Sequence, residues 1–264
     1  MKMNPLGRTG LSVSAYCLGT MTFGTQTSEA VGHGQIDRAL DHGINILDTA
    51  EMYPTTPITP SLCGDTERII GTWNAKNPAR RGDFILATKV TGKGQKAVRD
   101  GAPISRATIL EAVDASLKRL QTDYIDLYQL HWANRGSYHF RQNWTYDPSS
   151  QSRTDTLAHI EEVLDTAQEL VAAGKIRHIG LSNETAWGTA QWLRVAEEKG
   201  LPRMETIQNE YSLLCRTFDL DLAELSVNED VGLLAFSPLA CGYLTGKYLD
   251  GALPDGSRKS INSG

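Results

Sequence analysis

The sequence predicts an α/β chain folded as a (β/α)8 TIM barrel that is incomplete, and three observations carry this. Seven short apolar segments alternate with six amphipathic ones along the 264 residues, which is the pattern of parallel strands joined by helices. Nearly every strand-like segment ends in a reactive or hydrogen-bonding residue: Asp48, Lys89, His131, Ser182-Asn183, Gln208 and Ser237. A doubly wound sheet gathers its ligand groups at one switch point, whereas a barrel draws them from many strand ends. No G-x-G-x-x-G joins a strand to a helix either, Gly92-Lys93-Gly94 being only a short glycine loop.

Taken in order, residues 1–12 place Pro5, Gly7 and Gly10 between polar–apolar pairs and read as an N-terminal β-hairpin cap. The β-rich run SVSAYCLGTMTFG follows, closed by Gly19 and Gly24. Ile36, Ala39 and Leu40 at helical spacing predict a helix over 34–42, and residues 44–47 a buried strand ended by Asp48. A helix over 66–73 precedes the strand DFILATKV, which carries Lys89 near its end. Ile109, Val113, Leu117 and Leu120 mark one face of a helix over 105–120, with Ser105 as N-cap. The strand DYIDLYQL then leads to His131 and a polar loop, 132–154, rich in aromatics: Trp132, Tyr138, Phe140, Trp144 and Tyr146. Such a loop either lines a substrate pocket or packs on its own scaffold. Beyond it the pattern predicts helices over 156–173, 186–199 and 219–229 and strands over 176–181, 205–207 and 231–236.

No composition shift or linker interrupts this alternation, so residues 1–264 are expected to form a single domain, with 249–264 an irregular tail. A net charge of −5 with dispersed basic residues argues against nucleic acid as a partner. No apolar stretch reaches membrane-spanning length and the N-terminus lacks a secretory apolar core, so the expectation is a cytoplasmic protein without a membrane partner. Cys17, Cys63, Cys215 and Cys241 are far apart without C-x-x-C and are read as reduced thiols, with no metal site.

Singly, the strand-end residues have ordinary explanations. Asp48 suits a turn, Tyr53 a packed aromatic, Lys89 a solvated charge and His131 a structural imidazole. Together they suit acid catalysis. An ammonium beside the phenol is expected to favour phenolate and lower the tyrosine pKa, with Asp48 keeping Lys89 charged and His131 donating to a carbonyl oxygen. The set offers no activated serine or cysteine nucleophile, but suits protonation of an oxygen as hydride reaches its carbon.

The stretch GINILDTAEMY, followed by TERIIG with Glu67 and Gly71, and the segments KIRHIGLSN, IQNEYSLL and FSPLACGYLTGKY resemble the aldo-keto reductase family. The resemblance runs over most of the chain and looks closest to the family's bacterial Tas-type branch and its potassium-channel β-subunit relatives, partly on YPTTPITP. It implies a catalytic tetrad of Asp48, Tyr53, Lys89 and His131, and NADPH-dependent reduction of a small aldehyde or ketone with Tyr53 as general acid. Carried over by motif, Ser182, Asn183 and Gln208 meet the nicotinamide carboxamide and Phe236 stacks on the ring. Gly19, Thr20 and Met21 pass beside the cofactor. Ser237, Leu239, Cys241 and Lys247 wrap its pyrophosphate, and Arg258 joins that loop.

After Tyr248 the sequence offers neither a long apolar helix nor a strand, and at roughly 30–40 residues per βα unit an eighth unit does not fit. A C-terminally truncated form is therefore expected, doubtful in stability as an isolated monomer. With it, the segment that in the family reads the adenosine 2′-phosphate is expected to be absent, so the choice between NADP and NAD is not read from this sequence. That leaves an alternative: a non-catalytic cofactor-binding or partner-binding subunit.

Overall fold

The computed structural model describes residues 1–261. Seven strands form one parallel sheet: β3 (Leu18–Gly19), β4 (Ile46–Asp48), β5 (Ile85–Val90), β6 (Ile125–Leu130), β7 (Ile176–Ser182), β8 (Met204–Glu210) and β9 (Gly232–Phe236). Their spatial order is their chain order, so the sheet winds in one sense, as a barrel does, and never reverses. Among the described residues β3 and β9 are each paired on one side only, which makes the sheet an incomplete (β/α)8 barrel. A separate antiparallel hairpin, β1 (Met3–Pro5) and β2 (Ser12–Ser14), precedes it.

Helices α1 (Glu29–Asp41), α2 (Asp65–Lys76), α3 (Arg106–Leu120), α4 (Arg153–Ala172), α5 (Ala186–Lys199) and α6 (Leu222–Asn228) follow successive strands. Their apolar faces meet the outer face of the sheet in a continuous core that includes Ile36, Ile70, Trp73, Leu86, Val113, Ile160, Leu181 and Ile207. The inner face is different. Side chains alternate along each strand, so when Tyr128 and Leu130 of β6 join the outer core, Gln129 between them turns inward. Gly180 on β7 is needed for the same packing: a Cβ there would lie 2.2 Å from Thr206 Oγ1.

The hairpin closes the end of the sheet away from the strand tips. Leu6 and Val13 pack with Ile46, and the turn lies so near β8 that a Cβ on Gly7 would meet the Glu205 carbonyl oxygen. This leaves the C-terminal tips as the open end.

Several boundaries differ from the sequence reading. The hairpin runs to Ser14, so the run over 12–24 divides into β2 and β3 rather than one β-rich segment. The first helix starts at Glu29, capped by Ser28, not at Gly34. Within it Gly32 lets the helix sit on Phe23, whose ring a Cβ would approach to 3.1 Å. The tail expected to be irregular carries a 3-10 turn at Leu249–Gly251 and a short helix, α7 (Arg258–Ile261). Its last three residues lie outside the described range.

Candidate active site

The strand tips bring the four candidate acid–base residues together. Asp48 ends β4, Tyr53 lies in the loop after it, Lys89 is in β5 and His131 follows β6. Lys89 is fully buried and donates to Asp48 Oδ2 at 2.6 Å and to the Thr49 carbonyl at 2.7 Å. Its ammonium lies 5.0 Å from the Tyr53 ring centroid, and the Tyr53 and His131 rings meet edge to face at 5.6 Å. Burial works against the charge on Lys89, but Asp48 and then Tyr53 outweigh it and raise its pKa above the usual lysine range.

One electrostatic expectation is corrected. Burial raises the Tyr53 pKa above the ordinary phenol range; Lys89 pulls it down, as expected, and Asp48 pushes it up again. Desolvation of the phenolate wins, so Tyr53 is held protonated. Arg258, expected in the loop around a pyrophosphate, lies near enough to Tyr53 for its charge to favour phenolate as well. His131 is the opposite case: burial first and Lys89 second hold it well below the ordinary imidazole pKa. A neutral imidazole with an unpaired, buried Nδ1 results.

This depression carries a pH dependence. His131 and His139 are both buried and both shifted down chiefly by burial, so the unfolded chain binds more protons than the folded one in mild acid. Stability is present above the ordinary histidine pKa of about 6.5 and falls below it, by up to about 1.4 kcal/mol per pH unit for each group. Urea midpoints measured at about pH 7.5 and about 5.5 are expected to show a clear drop at the lower pH, and equal midpoints would refute it.

Next to the four residues stands an amide-rich wall. Asn183 Nδ2 donates to the His131 carbonyl at 3.0 Å and Ser182 Oγ to the Gln208 carbonyl at 2.8 Å. Asn183 holds a left-handed backbone (φ 51°), unusual outside glycine, and its buried Oδ1 has no partner. Gln208 Nε2 donates to Asp48 Oδ1 at 2.9 Å, so this amide is engaged with the acid–base cluster rather than standing free. Thr20 fixes the Asp48 backbone, its N–H and Oγ1 both donating to the Asp48 carbonyl. Gly19 pairs with Asp48 in register, and Met21 packs on the cluster of Ala50, Met52 and Tyr53.

Phe236 ends the edge strand β9, half-buried. The residues after it form a compact loop of left-handed turns at Ser237, Ala240, Cys241 and Gly242. Within it Ser237 Oγ faces Cys241 Sγ at 3.9 Å, Leu239 is exposed, and Lys247 folds back over Gly242 and the Tyr248 ring. This loop lies at the same end of the sheet as the tetrad, but none of its residues hydrogen-bonds Asp48, Tyr53, Lys89 or His131 among the described residues.

The aromatic loop packs in two groups. Trp132 stacks against His131 at 5.0 Å and Phe140 at 5.8 Å, beside the acid–base cluster. Tyr138 and Tyr146 pack on each other, and Trp144 is fully exposed. A cavity of about 550 Å³ opens behind this loop, between Trp132, Asn134, His159 and Trp192 on the outer side of the sheet. It touches Ser182 but none of the four converging residues, so the strand-tip cluster, where the charges meet, is the candidate site.

Three supporting groups escaped the sequence reading. Gln129 Nε2 donates to Asp48 Oδ1 at 3.1 Å. Its signal was position alone, two residues before His131 on the same inward face. Glu51, inside the GINILDTAEMY stretch, makes a bidentate pair with Arg99 and accepts from the Thr91 N–H, tying the Tyr53 loop to the loop after β5. Arg135 pairs with the buried Glu184 at the base of the aromatic loop. All four cysteines are free. Among the described residues there is no cluster of three or more metal-binding side chains and no helix long and apolar enough to cross a membrane.

The incomplete (β/α)8 barrel thus presents a buried Asp–Lys pair, a protonated tyrosine and a neutral histidine beside an unpaired amide acceptor at its open end. The profile of the aldo/keto reductase family matches residues 15–262. Over 269 aligned positions the chain is 47% identical to Protein tas of Escherichia coli (strain K12), covering all of this chain and 75% of that one. It is also similar to the uncharacterized oxidoreductase YrpG of Bacillus subtilis (strain 168), 36% identical over 252 positions and covering 94% and 70%. An aldo-keto reductase of Babesia bovis is 40% identical over 179 positions, covering 63% and 61%. The chain belongs to the aldo-keto reductase family, and this membership supports an oxidoreductase.

Proposed function

We propose that this chain is a cytoplasmic NADPH-dependent reductase of small aldehydes or ketones, with Asp48, Tyr53, Lys89 and His131 as its catalytic residues. The observation that carries the reading is the convergence of a protonated phenol, a buried ammonium and a neutral imidazole at the open end of the barrel. The imidazole donates to the substrate carbonyl oxygen, and Tyr53 delivers the proton to that oxygen as it gains charge. Lys89 stabilises the phenolate left behind, and Asp48 keeps Lys89 charged.

The amide wall fits a nicotinamide: the unpaired Asn183 Oδ1 suits a carboxamide N–H, and Ser182 and Gln208 flank it. Phe236 would lie beside the ring, and Gly19, Thr20 and Met21 along its edge. Ser237, Leu239, Cys241, Lys247 and Arg258 would hold the pyrophosphate side. When bound, the cofactor supplies the hydride. The test is loss of NADPH absorbance by the purified chain with a panel of aldehydes and ketones, repeated with NADH. Carbonyl-dependent oxidation faster with NADPH is expected, and no carbonyl-dependent oxidation with either cofactor would reject the proposal.

A further inference from the structure

We infer that Gln129 is a positioning residue that holds the Asp48 carboxylate turned toward Lys89 and thereby sets how much of the ammonium's field reaches Tyr53. The inference rests on the acid–base reading above. Asp48 Oδ2 is taken by Lys89 at 2.6 Å, while Oδ1 accepts two amide N–H groups, from Gln129 at 3.1 Å and Gln208 at 2.9 Å. Gln208 is also the amide that flanks the nicotinamide wall. Gln129 is therefore the donor committed to Asp48 alone.

The cost of keeping Gln129 there is visible. Its side chain is fully buried, and its Oε1 has no hydrogen-bond partner. A buried, unpaired amide oxygen is destabilising, and an apolar side chain of similar size would avoid it. Turning the amide over would only set Oε1 against the Asp48 carboxylate. An amide retained under these conditions is there for its N–H.

Lys89 has three protons to give. Two go to Asp48 Oδ2 and the Thr49 carbonyl, which leaves the third for the Tyr53 side. When Gln129 no longer donates, Asp48 concentrates its charge on Lys89 and draws the ammonium away from Tyr53. The titratable or charged groups facing this cluster are Cys17, Asp48, Tyr53, Lys89, His131 and Arg258.

Gln129→Leu is expected to lower kcat about tenfold while KM for NADPH stays within about twofold. The alkaline limb of the reduction profile moves up by about half a pH unit, because Tyr53 becomes a weaker acid. Its Tm shifts by only a few degrees, since the unpaired oxygen goes but an N–H donated to a nearly buried carboxylate goes with it. Gln129→Glu tests the same bond by another route. Two carboxyl groups side by side share one proton, so an O–H replaces the amide N–H. Its kcat is expected near the parent's in mildly acidic buffer, with a fall as pH rises and that proton is lost.

An unchanged kcat and pH profile in Gln129→Leu would overturn the inference. So would a fall in kcat with no movement of the alkaline limb, which marks a packing effect and not a change in the acidity of Tyr53. A parent chain that reduces no carbonyl compound defeats the functional proposal instead, and ultraviolet titration of Tyr53, read as the difference from Tyr53→Phe with and without Gln129→Leu, still decides the role of Gln129: an unmoved phenol overturns it.

Discussion

Tyr53→Phe is expected to remove carbonyl reduction while leaving the fold and cofactor binding in place. The ring is buried with Ala50 and Met52, lies 5.0 Å from the Lys89 ammonium and meets His131 edge to face, and phenylalanine keeps all of that. What is lost is the proton donor. General acid catalysis contributes about 10²- to 10⁴-fold, so kcat is expected to fall by about that factor. The NADPH dissociation constant, read from fluorescence titration, stays within about twofold. Stability changes by less than about 1 kcal/mol, because no packing is removed. Undiminished turnover would reject Tyr53 as the acid. The raised pKa adds a second consequence: Tyr53 stays protonated through neutral pH, so alcohol oxidation, which needs the phenolate, gains on reduction as pH rises.

The sequence made the site's participants legible because strand tips are marked by chemistry. An apolar run that stops at Asp48, Lys89 or His131 announces where a barrel presents its side chains, and the alternation of strands and helices announces the barrel. The contents of the barrel interior were harder to read. Gln129 looks like any polar residue in a strand until Asp48 is seen across the barrel, 81 positions away in the chain. Arg99 and Glu51 likewise meet over 48 positions, and no local pattern foretells that pair. The sign of the Tyr53 shift was missed for a related reason. A sequence shows which charges are present, whereas desolvation depends on how tightly the neighbouring loops close over the ring. Nor does the local pattern show that Gly32 is small in order to pack on Phe23, a contact that exists only once the first helix lies on the sheet.

Lys89→Met is expected to be the most destabilising single change at the site, and the reason lies in what it strands. Lys89 is fully buried and its Asp48 partner nearly so. Removing one member of a buried ion pair costs about 3–5 kcal/mol, because the other charge is left without compensation. For a chain of this size that is a fall in Tm on the order of 10 °C, measurable by thermal or urea unfolding. Gln129 and Gln208 still donate to Asp48 Oδ1 in the variant, which softens the loss but does not replace a cation. Adding Asp48→Asn to Lys89→Met removes the stranded charge and keeps an oxygen for the two glutamine amides. The double variant is expected to recover on the order of 2 kcal/mol without recovering any activity. Recovery of stability without chemistry would separate the two duties of the pair: the ammonium is needed in the fold only because the carboxylate is there, and the carboxylate is there to keep an ammonium beside Tyr53. A Lys89→Met variant as stable as the parent would contradict the first half of that statement, and a double variant that still reduces carbonyl compounds would contradict the second.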